Sequence, residues 1–485
     1  MRKKIFKFFL KLFGFKKNPL IEPKKGTLIV LIDGLSYDAL ITAIKKGSCP
    51  TLKKLTQNGY VANKYYCGLP AATTATEALL FYGNKSNIPG FTWYDRELGM
   101  FVRGNRSYEL SKFEDGYFKK RNLLKDGSAI MSVYTGGATQ LSVSGRNLAF
   151  SRSLYFIKSA HYFFMALLYP VQLARTIFLT LKTLISYKKS NRHKFTETFS
   201  TIILGQFSCF LTEIEIMRNT KKIFVDFLLY DEFAHEYGPT HKTTLATLRL
   251  VDRYIRRIIR TTKSSDRPYD IVILSDHGQT QSIPYDKKYN RCIFDIQNAL
   301  NDDSYTAIKT FGGFIPRHNK EIYVVPAGST LQLYFSSHLK DGLMEHDINT
   351  LFPGFIERLL HMRAFGWILV KTSKSTATLY GKNGQVHFSQ DKPAVLKGMP
   401  FTQLKQHEID RTVRSFQSYA LFPNNGDLTI FGDVSLDQEI YAFEKNHGNH
   451  GGFYGPMVYP FILTKNPEIK GDSMEELFDT IEASL

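Results

Sequence analysis

Three near-continuous apolar runs, each closed by an aspartate, limit what this chain can fold into: TLIVLID (27–33), IFVDFLLYD (223–231) and YDIVILSD (269–276). Runs of this length without polar alternation read as central strands of a mainly parallel sheet, covered on both faces. Helical patterns follow at Ser36–Lys46 and Thr243–Thr262, where LATLRLVDRYIRRIIR repeats apolar residues at helical spacing. The fold class is therefore α/β, with helices flanking the sheet. In such open sheets ligands bind outside the carboxyl ends of the strands, where Asp33, Asp231 and Asp276 fall. A fourth run, MVYPFIL (457–463), adds a strand, with Pro460 marking an edge or a bend. A small β-rich part is expected over 321–336 and 367–388, with a turn at Lys382-Asn383-Gly384 and one short helix over 349–366.

Charge raises a separate question. The 485 residues hold 63 Lys+Arg against 44 Asp+Glu, a net of +19, which invites a nucleic-acid or membrane-surface partner. Its distribution is uneven: residues 1–26 carry +8, residues 151–222 carry another +8, and the other 387 share +3. Both basic stretches are apolar as well. In MRKKIFKFFLKLFGFKK, Lys4, Lys7 and Lys11 form one stripe while Ile5, Phe6, Phe8, Phe9, Leu12 and Phe13 cover the rest. This suits a helix lying in an anionic membrane interface through residues 1–17, or else a terminal helix packed on the protein. Lys7 and Lys11 interrupt the apolar run, so it does not read as a cleaved signal peptide.

The second stretch has no charged residue over Ser159–Ala174, sixteen positions, short of the ~20 needed to span a bilayer. Helices hinged near Pro170 are expected there, either capping the site or touching the membrane over 151–190. No nucleic-acid motif accompanies the charge, so nucleic acid is not the expected partner. Hydrophobic content of 43% excludes a disordered chain, and four Cys exclude a disulfide scaffold. The expected organisation is a basic N-terminal segment (1–26), a catalytic domain (27–150 and 223–485) and a helical insertion (151–222). The expected location is cytoplasmic and peripheral to a membrane.

Chemistry gathers at the aspartates. Asp231 and His235 stand four apart, one helical turn, and Asp276 and His277 are adjacent at a strand exit. HisGlyAsnHisGlyGly (447–452) offers His450, or His447, in a glycine-rich loop. Mixed carboxylate and imidazole sets bind Zn²⁺ or Mn²⁺, and three Asp with three His suit two ions better than one. Two ions about 3.5–4 Å apart clamp an in-line phosphoryl displacement. A nucleophile is on offer where a helix begins in AlaAlaThrThrAlaThrGlu (71–77), at Thr73, Thr74 or Thr76.

These residues resemble the type I phosphodiesterase/nucleotide pyrophosphatase family of the alkaline phosphatase superfamily. IVLIDGLSYDAL is similar to the family's first metal strand, and CysGlyLeuProAlaAlaThr (67–73) to its nucleophile segment. Asp-x-x-x-His-x-x-Gly-Pro recurs at 231–239, and the last metal histidine lies in GNHGG. The resemblance implies an alkaline-phosphatase-like sandwich, with one metal on Asp231, His235 and His450. It implies a second on Asp33, Thr73, Asp276 and His277, and it selects Thr73 as nucleophile. Thr74 and Thr76 are left as expected substrate contacts. The sequence departs from the family at Thr76 and in the stretch 151–222.

The expected activity is hydrolysis of phosphodiester or pyrophosphate bonds through a phospho-threonine, on a phosphoester that includes lipid-linked ones. The alternatives are phosphomonoester hydrolysis, transfer of a lipid head group, and, in another class, a non-catalytic membrane-surface binding protein.

Overall fold

The computed structural model describes residues 16–20, 25–85, 87–118, 121–147, 192–286, 292–310 and 320–485, with Phe8, Leu10 and Lys11. Most of the expected interfacial helix at 1–17, and the expected membrane or cap contact at 151–190, lie outside the described residues. Where the N-terminal stretch is described it joins the body: Leu10 is buried in the core, Asn18 N–H donates to Arg218 O at 2.8 Å, and Lys17 pairs with Asp266.

The central sheet has seven strands, ordered Val61–Lys64, Phe461–Thr464, Tyr269–Leu274, Gly26–Ile32, Lys222–Phe227, Ser128–Ser132 and Leu141–Ser144. The middle strands pair in parallel, as their unbroken apolar runs require. In Gly26–Ile32 alternation sends Leu28, Val30 and Ile32 into one core and Ile29 and Leu31 into another on the opposite face. Burial of each such side chain contributes roughly 1.5–3 kcal/mol. The run at 457–463 yields the antiparallel strand Phe461–Thr464, with Pro460 just before it.

Helix Tyr37–Lys45 starts at Ser36, whose hydroxyl accepts from Ala39 N–H. Helix Lys242–Thr262 buries Leu248, Val251, Ile255 and Ile258 along one face. Against it and against strand Lys222–Phe227 packs helix Arg192–Met217, so this part of the stretch 151–222 belongs to the helical layer over the sheet.

Three expectations change. IFVDFLLYD is not one strand: it ends at Phe227, and Leu229–Tyr237 is a helix. Leu229, Tyr230, Phe233 and Ala234 are buried at helical spacing, and Gly238 with Pro239 stops the helix. The β-rich part is not small, being an eight-stranded sheet from Thr306–Lys309 to Lys392–Gly398. The helix expected over 349–366 is two, Glu345–Leu351 and Phe355–Leu360, because Pro353 and a left-handed Gly354 break it. No helix among the described residues is long and apolar enough to cross a membrane.

Candidate active site

The carboxyl ends of the adjacent parallel strands Tyr269–Leu274, Gly26–Ile32 and Lys222–Phe227 deliver the site. Asp33 follows the middle strand directly, and Asp276 and His277 stand two and three residues past the end of the next one. Asp231 and His235 sit one turn apart on helix Leu229–Tyr237. Gly34 has φ +70°, and a Cβ there would collide with the Asp231 carboxylate. Its missing side chain lets the two acidic elements approach.

Two groups result. Asp231, His235 and His450 bring ligand atoms within 4.8 Å of one another, and so do Asp33, Asp276 and His277. His277 and His450 stack at 3.9 Å between ring centroids, which joins the groups. His447 belongs to neither group. Thr73 opens helix Thr73–Tyr82, and its Oγ1 lies 3.1 Å from His277 Nε2. Ala72 at the N-cap has no side-chain acceptor, so no capping side chain competes for the first-turn N–H groups.

Thr74 and Thr76, expected to touch substrate, are engaged elsewhere. Thr74 Oγ1 donates to Gly90 O at 2.9 Å. Thr76 Oγ1 donates to Ala72 O at 3.0 Å and lies 3.4 Å from Asp276 Oδ2. Of the three threonines only Thr73 lines the cavity of about 980 Å³ that opens on both groups.

The donor set fits divalent cations. His235 Nδ1 lies 2.9 Å from Gly448 O and His450 Nδ1 2.9 Å from Ala71 O. A carbonyl only accepts, so each Nδ1 carries a proton and each Nε2 is left for the centre. Those two Nε2 atoms face one another at 3.2 Å. Asp33 Oδ1 is buried without a hydrogen-bond donor.

Electrostatics agree. Burial, then Asp276 and Asp231, pushes Asp33 well above the usual carboxylate range. Burial would also raise Asp231, but His235 beside it, then His450 and His277, hold it well below. Burial favours the neutral His235 ring, yet Asp231 outweighs it and carries the pKa up to about 9. Burial, then His277, pushes His450 well down.

Sequence reasoning missed three residues. Gln279 Nε2 donates to Asp231 O at 3.0 Å and also to its Oδ1; its only signal was its place after AspHisGly. Asp226 lines the cavity with both carboxylate oxygens buried and without partners. Glu77 accepts Val133 N–H at 2.6 Å, and it is fully buried. A lone acid inside an apolar run was the available sign for Asp226.

The model of the type I phosphodiesterase/nucleotide pyrophosphatase family matches residues 27–331. The chain belongs to this family. It is accordingly a phosphoester hydrolase. His450 lies beyond the matched residues, and folding alone brings it to the group begun by Asp231 and His235.

Among solved structures, the wild-type alkaline phosphatase PafA aligns with TM-score 0.55 at 12% identity over 94% of this chain and 95% of that one. That likeness gives the fold as alkaline-phosphatase-like. Murine ectonucleotide pyrophosphatase/phosphodiesterase 5 aligns with TM-score 0.48 at 12% identity, over 94% and 93%. Phosphonoacetate hydrolase from Sinorhizobium meliloti aligns with TM-score 0.48 at 12% identity, over 96% of each chain. No curated protein matches the chain.

Proposed function

We propose that this family member hydrolyses phosphodiester or pyrophosphate bonds with Thr73 as nucleophile and two divalent cations. Asp231, His235 and His450 would hold one cation, and Asp33, Thr73, Asp276 and His277 the other. The mixed imidazole and carboxylate donors favour Zn²⁺, with Mn²⁺ the alternative. The observation that carries this reading is Thr73 Oγ1, on the cavity wall and 3.1 Å from His277 Nε2. When bound, the cations lower the hydroxyl pKa and stabilise charge on the phosphoryl oxygens.

Thr73 Oγ1 bonds to phosphorus as the leaving oxygen departs, giving phospho-threonine. Water then attacks phosphorus and the Thr73 hydroxyl is restored. First-turn N–H groups of helix Thr73–Tyr82 favour the anionic phosphoryl group. Gln279 holds Asp231 in place through the bonds described above. Thr73→Ala should lower turnover of bis-p-nitrophenyl phosphate by about a thousandfold or more, with metal content by elemental analysis nearly unchanged. Retained turnover refutes the nucleophile.

We also propose peripheral attachment to an anionic membrane surface through residues 1–17, supported by the basic, phenylalanine-rich composition of that stretch. The intact protein should float with vesicles containing phosphatidylserine and not with neutral ones. Equal behaviour on both counts against it.

A further inference from the structure

We propose that helix Lys242–Thr262 carries the face by which the protein lies on an anionic lipid bilayer. This deepens the attachment proposed for residues 1–17 and takes its partner from that reading.

Lys242, Arg249, Arg253, Arg256, Arg260 and Lys263 follow one another along this helix and its C-cap. At about 100° per residue they fall within an arc of about 80° and run about 30 Å along the axis. Arg253 is half-buried and the other five are exposed. Leu248, Val251, Ile255 and Ile258 on the far side pack into the core. Lys242, Arg249, Arg256, Arg260 and Lys263 make no ion pair among the described residues.

A solvated helix face gains from opposite charges three or four residues apart. Here Arg249 and Arg253, and Arg256 and Arg260, stand four apart, and Arg253 and Arg256 stand three apart. Neighbours so spaced repel. Nearby acids offset little of this. Asp252, the one acid of the helix, is buried and accepts Thr51 N–H at 2.8 Å and Leu52 N–H at 3.0 Å. Helices Arg192–Met217, Leu229–Tyr237 and Pro50–Gln57 pack against it. Of their described acids, Glu213 pairs with Arg257 and Glu215 with Arg218, while Asp231 and Glu232 line the active-site cavity. That leaves half-buried Glu236 against the row of cations, and helix Pro50–Gln57 adds exposed Lys53 and Lys54.

The N-terminal stretch reaches the same side of the sheet. Lys17 pairs with Asp266, three residues beyond Lys263, and Arg218 Nε donates to Lys16 O at 3.1 Å. Leu10 is buried in the core that helix Lys242–Thr262 lines, while Phe8 is 60% exposed and Lys11 is exposed. A bilayer matches both features at once, with head groups for the cations and an acyl boundary for the aromatic ring. A nucleic-acid duplex would meet the cations but offers no apolar layer to Phe8.

The test is co-sedimentation of the full chain with equimolar phosphatidylserine–phosphatidylcholine vesicles at low salt. A basic residue near such a surface is worth about fivefold in partitioning. The triple variant Arg249→Gln, Arg256→Gln and Arg260→Gln should therefore bind about a hundredfold more weakly. The triple variant Arg249→Lys, Arg256→Lys and Arg260→Lys should bind nearly as the native chain does. A urea midpoint no lower than the native one shows that the glutamine variant is folded. A nitroxide on Ala246→Cys, exposed beside the cations, should lose access to a water-soluble relaxation agent on vesicle binding. One on Leu436→Cys, fully exposed elsewhere, should keep it, and the four native cysteines are buried away from the label. Lys4→Gln, Lys7→Gln and Lys11→Gln together test the N-terminal stretch by itself. If that variant loses binding while the helix glutamine variant keeps it, the attachment stands and the helix face is refuted. Protection at Leu436 in place of Ala246 overturns the orientation, and binding of a DNA duplex without binding of vesicles overturns the lipid partner.

Discussion

Raising the pH should tighten metal binding at the Asp231–His235–His450 group, because a proton occupies the place of the metal. In the metal-free protein Asp231 lifts His235 from 6.5 to about 9. The Nδ1 proton is held toward Gly448 O, so the proton at stake is on Nε2, which lies 3.1 Å from Asp231 Oδ2. Uptake of a cation must expel it. His450 is pushed well down and Asp231 is held ionised, so neither adds a second proton. Affinity should therefore rise about tenfold per pH unit below 9, or about a hundredfold from pH 6.5 to 8.5.

The assay is competition against a chromophoric chelator, corrected for its own titration. Asp33→Asn weakens the neighbouring group and isolates this one. Proton release of about one per ion at pH 7 checks the stoichiometry. The sign for stability is opposite. A folded pKa raised above the unfolded value stabilises the metal-free protein fully below about 6.5, and that contribution is lost as pH rises through about 9. Affinity that stays flat from pH 6.5 to 8.5 refutes the assignment of Nε2 to the metal.

Two further substitutions probe the frame around the site. Gln279→Leu removes the donor to Asp231 and should weaken zinc binding by about 10–100-fold; unaltered affinity in a chelator competition contradicts its orienting role. Glu213→Ala takes away the buried partner of Arg257 and should cost about 3–5 kcal/mol in urea unfolding. The double change Glu213→Leu with Arg257→Met should recover most of that loss, and a double variant as weak as the single one argues against the ion pair as the cause.

The parts of this fold legible in the sequence are those set by local pattern. An apolar run such as TLIVLID has no wet-faced alternative, so strand Gly26–Ile32 and its two buried faces follow from it. The four-residue spacing of Asp231 and His235 requires a helix to become a metal pair, and the helix is there. Parts set by long-range pairing were hidden. Strand Thr306–Lys309 joins the eight-stranded sheet beside Glu321–Ala327, while Leu428–Gly432 enters between strands some sixty to a hundred residues earlier. No local pattern records such neighbours. Thr74 and Thr76 looked equivalent to Thr73 as hydroxyls at a helix start. Their difference comes from Gly90 O and Asp276, which the chain brings near only on folding.

The same sheet geometry gives the site a physical reason to bind cations. Neighbouring parallel strands lie about 4.8 Å apart, so aspartates at or beyond the ends of three of them must converge, whatever their separation in sequence. Here that places Asp33, Asp231 and Asp276 together, with Glu77 and Asp226 buried near them. Burial, then Glu77 and Asp276, raises Asp226 well above its usual range, and burial raises Glu77 likewise, with Val133 N–H opposing. So many carboxylates cannot all ionise in one buried place without positive charge. His235 supplies part of that charge by keeping a proton up to about pH 9, but His450 does not. In the metal-free protein Asp33, Asp226 and Glu77 are therefore held toward their neutral forms, and a bound cation would favour their ionised ones. Since a ligand held only by the native state adds stability, about 4 kcal/mol at a thousand times its Kd, a cation held by these groups would couple metal occupancy to folding.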